Sequence, residues 1–152
     1  MWMKRIAVLV ACATTAIVLT AASAAADMPE GVTLTTTQVC PSLEATFVAT
    51  GAIEDSGDAT ATMLSPQAGP FGVTGVTLRA EVLFEGQHGT FTLVQHVTFM
   101  STDDPDVFGE PGTWVITGGT GDYAGLTGRG RSFGTCDLGA ALEVQFYEGF
   151  VR

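Results

Sequence analysis

Lysine is missing from this 152-residue chain after position 4, and asparagine is missing altogether. Without a lysine beyond Lys4, neither a Schiff-base lysine nor a lysine-bearing phosphate loop can operate in the body of the chain. Without asparagine there is no N-glycosylation acceptor and no Asn-Gly hairpin turn, so the 19 glycines and the aspartates must make the turns. Positive charge is equally scarce. From Asp27 onward Arg79, Arg129, Arg131 and Arg152 stand alone against 16 acidic residues, a net charge of −12 with the histidines neutral. Such a surface repels the phosphates of nucleic acid and anionic lipid, so no nucleic-acid partner is expected. The two histidines, His88 and His96, lack ligand spacing to the cysteines. No metal site is therefore expected.

The one long apolar run lies at the start. Lys4 and Arg5 precede Ile6 to Leu19, and Ala24-Ala25-Ala26 supplies the small residues that signal peptidase reads. Residues 1–26 are thus expected to be a signal peptide and 27–152 a single secreted domain. Thr14, Thr15 and Thr20, with no stop-transfer flank, argue against a spanning anchor, so no stable membrane insertion is expected after cleavage. Leu9-Val10-Ala11-Cys12 resembles a lipobox, but the apolar run continues past Cys12 through Ile17, Val18 and Leu19, which argues against lipid anchoring there.

The rest of the chain shows no helical period of useful length. Alternating or β-branched runs bounded by Gly, Asp and Pro predict eight strands: Val32–Thr37, Glu44–Ile53, Ala59–Leu64, Val76–Phe84, Thr90–Met100, Thr113–Thr117, Arg129–Thr135 and Leu142–Val151. The class is all-β. An even number of strands with short connections predicts an eight-stranded antiparallel up-and-down β-barrel, whose last strand closes on its first. In that topology the loops after strands one and seven are neighbours on one rim. Cys40 lies in the first and Cys136 in the second, which predicts a disulfide between them. The opposite rim then carries tight turns at Asp55-Ser56-Gly57 and Glu85-Gly86-Gln87 and the glycine-rich stretch 118–128, where Tyr123 and Leu126 are expected to plug the barrel floor.

Several strings resemble motifs and lack their context. Gly119-Thr120-Gly121 followed by Gly125 has the wrong spacing for a dinucleotide loop and leads into a strand. Asp103, Asp104, Asp106 and Glu110 gather oxygen ligands, but without the EF-hand glycine they read as a solvated acidic loop.

The expected lumen is more informative. Strand five places Phe91, Leu93, Gln95, Val97 and Phe99 on one face. Strand eight groups Leu142, Val144, Phe146, Glu148 and Phe150, and strand seven groups Arg129, Arg131 and Phe133. With Thr135 opposite Leu142, Arg129 faces Glu148 and Arg131 faces Phe146. Gln95, Arg129, Arg131 and Glu148, with Phe91, Trp114 and Phe146, are the candidate ligand-binding residues. An Arg–Glu pair satisfied within the wall is the other reading of the same charges.

The stretch Trp114-Val115-Ile116-Thr117-Gly118-Gly119-Thr120-Gly121-Asp122-Tyr123-Ala124-Gly125 resembles the strand, GGTG turn and following aromatic of the allene oxide cyclase and dirigent-like β-barrels. Gly51-Ala52-Ile53 with Asp55-Ser56-Gly57 is similar to an earlier hairpin of their bacterial secreted members. The resemblance implies an apolar lumen that holds or orients a small hydrophobic molecule without cofactor, often in a homodimer or homotrimer. It does not carry the cyclase activity across: the first strand, Val32 to Thr37, offers no glutamate, and asparagine is absent. Two functions remain open, a ligand-orienting barrel and a structural or interaction protein whose barrel is filled by its own side chains. Phe91, Phe99, Trp114, Phe133, Phe146 and Phe150 favour filling; Ala45, Ala49 and Gly51 favour space.

Overall fold

A computed structural model describes residues 28–65 and 75–152. The expected signal peptide, Cys12 and the middle of the loop after the third strand lie outside the described residues. Nine strands form one sheet: β1 (Glu30–Gln38), β2 (Glu44–Gly51), β3 (Asp55–Met63), β4 (Val76–Gly86), β5 (Thr90–Ser101), β6 (Val107–Gly109), β7 (Gly112–Gly119), β8 (Gly128–Asp137) and β9 (Leu142–Val151). Every pairing is antiparallel, and β9 pairs with β1, so the sheet closes. β6 and β7 are one stave. Met100↔Gly109 and Val97↔Gly112 keep the same register against β5, and Phe108↔Cys136 and Gly112↔Ser132 keep it against β8. Only Glu110 and Pro111, the latter with no N–H to donate, separate the two ladders. The result is the closed eight-stranded antiparallel barrel that the turn chemistry predicts.

Two boundaries differ from the sequence reading. The turn after β2 is formed by residues 52–54, and Asp55-Ser56-Gly57 opens β3 instead of making the turn. Asp55 is drawn inward because its buried carboxylate caps the floor. It accepts the Tyr123 hydroxyl at 2.6 Å and the backbone N–H groups of Ser56, Gln87 and His88 at 2.8, 2.9 and 3.2 Å. Tyr123 itself sits on a single 3₁₀ turn, Gly121–Tyr123, and packs edge-on to Phe91 with centroids 5.3 Å apart. The expected floor plug is therefore in place, with Leu126 packed against the core beside it. Gly121 and Gly125 take φ of +61° and +82°, where a β-carbon is strained.

Above the plug the lower lumen is solid. Phe84 stacks on Phe91 at 4.7 Å, and Phe47 meets both edge-on at 5.1 and 6.0 Å. Each of these rings is buried completely or nearly so, a contribution of about 1.5–3 kcal/mol apiece. At the other end Cys40 and Cys136 are disulfide-bonded with Cα atoms 5.8 Å apart, which ties the β1–β2 loop to the end of β8 as the rim argument expects.

Candidate functional site

The observed register sorts the expected site residues into two groups. β8 and β9 pair with Thr135 opposite Val144, Phe133 opposite Phe146 and Arg131 opposite Glu148, two residues out from the predicted register. The face carrying these side chains is also the outer one. Arg129, Arg131, Glu148 and Phe150 are exposed, and Phe146 stacks on Phe133 outside the barrel at 5.2 Å. Arg129, Arg131, Glu148 and Phe146 are thus corrected from lumen residues to residues of the outer wall. Phe91 is inward but belongs to the solid aromatic floor. Trp114 is inward and 3 % exposed, its indole Nε1 donating to the Arg131 carbonyl at 3.0 Å. Gly130 and Gly149 flank it because a β-carbon on either would lie 2.6 Å from the indole. Of the expected set, only Gln95 reaches the open part of the lumen.

The inner face of β9 is Glu143, Gln145, Tyr147, Gly149 and Val151; that of β8 is glycine, serine and cysteine. On the β6–β7 stave the inward series runs Phe108, Glu110, Gly112, Trp114, Ile116. Glu110 therefore leaves the acidic loop with which it was grouped. Asp103, Asp104 and Asp106 stay exposed in the turn after β5, while Glu110 is 2 % exposed inside the barrel. Its backbone N–H donates to the Gly134 carbonyl at 2.9 Å. Gly134 pairs with Gln145, and the next inward pair is Cys136 with Glu143. Glu110 and Glu143 share a hydrogen bond inside the barrel.

These residues line a cavity of about 60 Å³ in the upper half of the barrel. At roughly 10–15 Å³ per water-sized group, it has room for about four to six non-hydrogen atoms. Its lining joins apolar side chains, Ala45, Ala59, Ala61 and Ala80 with the larger Met63, Leu78, Val82, Val97 and Phe99, to a polar set, Gln95, Glu110, Glu143, Gln145 and Tyr147. Tyr147 bonds Thr36 and Gln95, and burial pushes its hydroxyl up. Burial also pushes the Glu110 carboxyl up, to about 8, reinforced by the charge of Glu143 and by their hydrogen bond. Glu143 is raised by burial as well, although hydrogen bonds from Gln38 and Glu110 to its charged form oppose the rise. Near neutrality Glu110 is consequently the protonated donor of this hydrogen bond and Glu143 its acceptor.

Three atoms of the polar set have no partner: Gln95 Oε1, Glu110 Oε1 and Gln145 Nε2. Each such buried group costs about 1–3 kcal/mol while unpaired, and together they comprise both donors and acceptors. The carboxyl of Glu143 also approaches within 4.8 Å of both disulfide sulfurs; with the sulfurs bonded to each other, that cluster is not a metal-ligand set. Sequence reasoning missed Glu110, Glu143, Gln145 and Tyr147. Counting back in twos from Trp114 would have reached Glu110 through Gly112, and the parity of Cys136 would have marked the inner face of β8. Compared with family models, curated proteins and solved structures, the chain matches none of them.

Proposed function

We propose that this protein is a secreted binding barrel of the allene oxide cyclase and dirigent-like kind, which holds a small apolar-bodied molecule in its upper lumen without cofactor. The observation that carries the reading is the mixed lining of the cavity: apolar side chains, four of them alanines, meet polar residues with buried atoms that have no protein partner. Polar groups buried without partners are costly, and a guest with a polar end relieves that cost while its apolar body covers the alanines. The cavity's size sets the guest at about four to six enclosed atoms, a compact molecule or the leading end of a longer one. The glycine-rich hairpin and the signal-like leader support the family kinship and the secreted location. The rival reading, a barrel filled by its own side chains, describes the aromatic lower half and leaves the upper half unexplained.

Native mass spectrometry of the disulfide-intact protein, followed by thermal-shift titration with short-chain alcohols, amides and amines, tests this. Binding is expected in the parent and is expected to vanish in Ala61→Leu, which fills the cavity. A parent that carries no guest and responds to none of these compounds refutes the proposal and leaves the structural reading.

A further inference from the structure

Resting on that reading, we infer that the lumen selects a guest with a cationic head, a small primary alkylammonium, which takes the place of the proton shared by Glu110 and Glu143. The groups that line the cavity explain the choice of charge. Its ionisable residues are Glu110 on the β6–β7 stave and Glu143 and Tyr147 on β9; β1 contributes Gln38 and β5 contributes Gln95. Among the described lining residues there is no arginine, lysine or histidine, so two carboxyls sit together with no counter-charge. Carboxyls so placed must keep a proton or acquire a cation.

The unpartnered atoms fit the second state better than the first. Gln95 Oε1 and Glu110 Oε1 are acceptors without donors, and an ammonium brings three N–H donors. Once both carboxyls are ionised they also offer lone pairs to the free Gln145 Nε2 donor. The exchange balances: the alkylammonium enters with its charge, the shared proton leaves to solvent, and the pair becomes a dianion holding one organic cation. The alkyl chain lies toward Ala45, Ala59, Ala61 and Ala80. A net charge of −12 over residues 27–152 draws cations to the protein.

The test is calorimetric titration of the disulfide-intact protein at about pH 7 with n-butylammonium and, separately, n-butanol, in two buffers of different ionisation enthalpy. We expect the ammonium to bind at least about tenfold more tightly than the alcohol, as charge-assisted hydrogen bonds require, and to release protons to the buffer. Glu110→Gln, or Glu143→Gln should the first fold poorly, should erase that preference for the ammonium over the alcohol. Butanol binding as tightly as butylammonium overturns the charge selection and leaves the binding barrel standing. Ammonium affinity unchanged in both glutamine variants overturns it too, as does displacement by sodium or calcium with no dependence on alkyl length. Binding of neither compound removes this inference, and the native mass spectrum with the wider alcohol and amide series then decides separately whether the proposed function stands.

Discussion

Replacing Glu110 by glutamine should make the barrel more stable at alkaline pH, because the native fold pays there for a carboxyl it cannot comfortably ionise. The free side chain titrates at 4.5 and the buried one at about 8. Between those values the native state holds a proton that the unfolded chain has released, so stability falls as pH rises through the window and levels off above it. The interval is equivalent to about 5 kcal/mol at ~1.4 kcal/mol per pH unit. Water entering an open cavity relaxes part of that, leaving an expected loss of about 2–4 kcal/mol between about pH 5 and pH 8.5. Against a total stability of about 5–15 kcal/mol the loss is easily measured. The assay is urea unfolding of the disulfide-intact protein at both pH values. Glu110→Gln keeps the side chain's shape and its hydrogen-bonding capacity, and should abolish most of the loss. A parent equally stable at both pH values, or a variant that retains the full drop, would show that Glu110 and Glu143 do not share a proton inside the barrel.

At the floor the sign reverses. Burial alone would raise the Asp55 carboxyl, but the bonds from Tyr123, Gln87, Ser56 and His88 outweigh it and hold it at about 2 instead of 3.8. The resulting stabilisation of about 2 kcal/mol is present above about pH 4 and lost as pH falls through about 2. Acid unfolding of Asp55→Asn should lack that step, and Tyr123→Phe should cost about 1–3 kcal/mol at neutral pH; an unchanged acid limb in Asp55→Asn would refute the latch. In the glycine-rich turn, valine at Gly121 should destabilise by about 1–3 kcal/mol because φ is +61°. Valine at Gly118, whose β-carbon position meets nothing within 4 Å, should melt close to the parent. Equal melting of the two variants would sink the assignment of strain to Gly121.

Much of the barrel was legible because its signals are local. β-Branched runs ended by glycine, aspartate and proline mark the staves, and the alternation of rims then brings Cys40 to Cys136 without any tertiary information. The inner wall of the last two staves was not legible from apolar patterning. On β9 the row Leu142, Val144, Phe146, Phe150 is more apolar than Glu143, Gln145, Tyr147, yet the polar row faces inward. Two tertiary facts override the pattern. The indole of Trp114 occupies the lumen beside β8 and β9 and demands glycine at 130 and 149, so the inward row there cannot be the bulky one. The polar lining of the cavity then takes the remaining inward positions. Glu110 was hidden by Pro111, which reads as the end of a loop although the stave runs straight through it.

The closing seam joins the two ends of the sheet: β1 pairs with β9 over nine rungs, from Glu30↔Val151 to Gln38↔Glu143. A chain synthesised from its N-terminus therefore completes β1 first and its partner last. Until residue 151 is available, the first stave has one edge with open hydrogen-bonding groups, next to a growing sheet rich in β-branched residues. Non-local pairing of this kind is slow, since the closure entropy must be met before the contacts form. The barrel has no edge to offer an aggregating neighbour once shut, so its exposure to misassembly is confined to the interval before β9 arrives. Deletion of β9 should prolong that interval indefinitely, leaving an open sheet in place of a closed barrel.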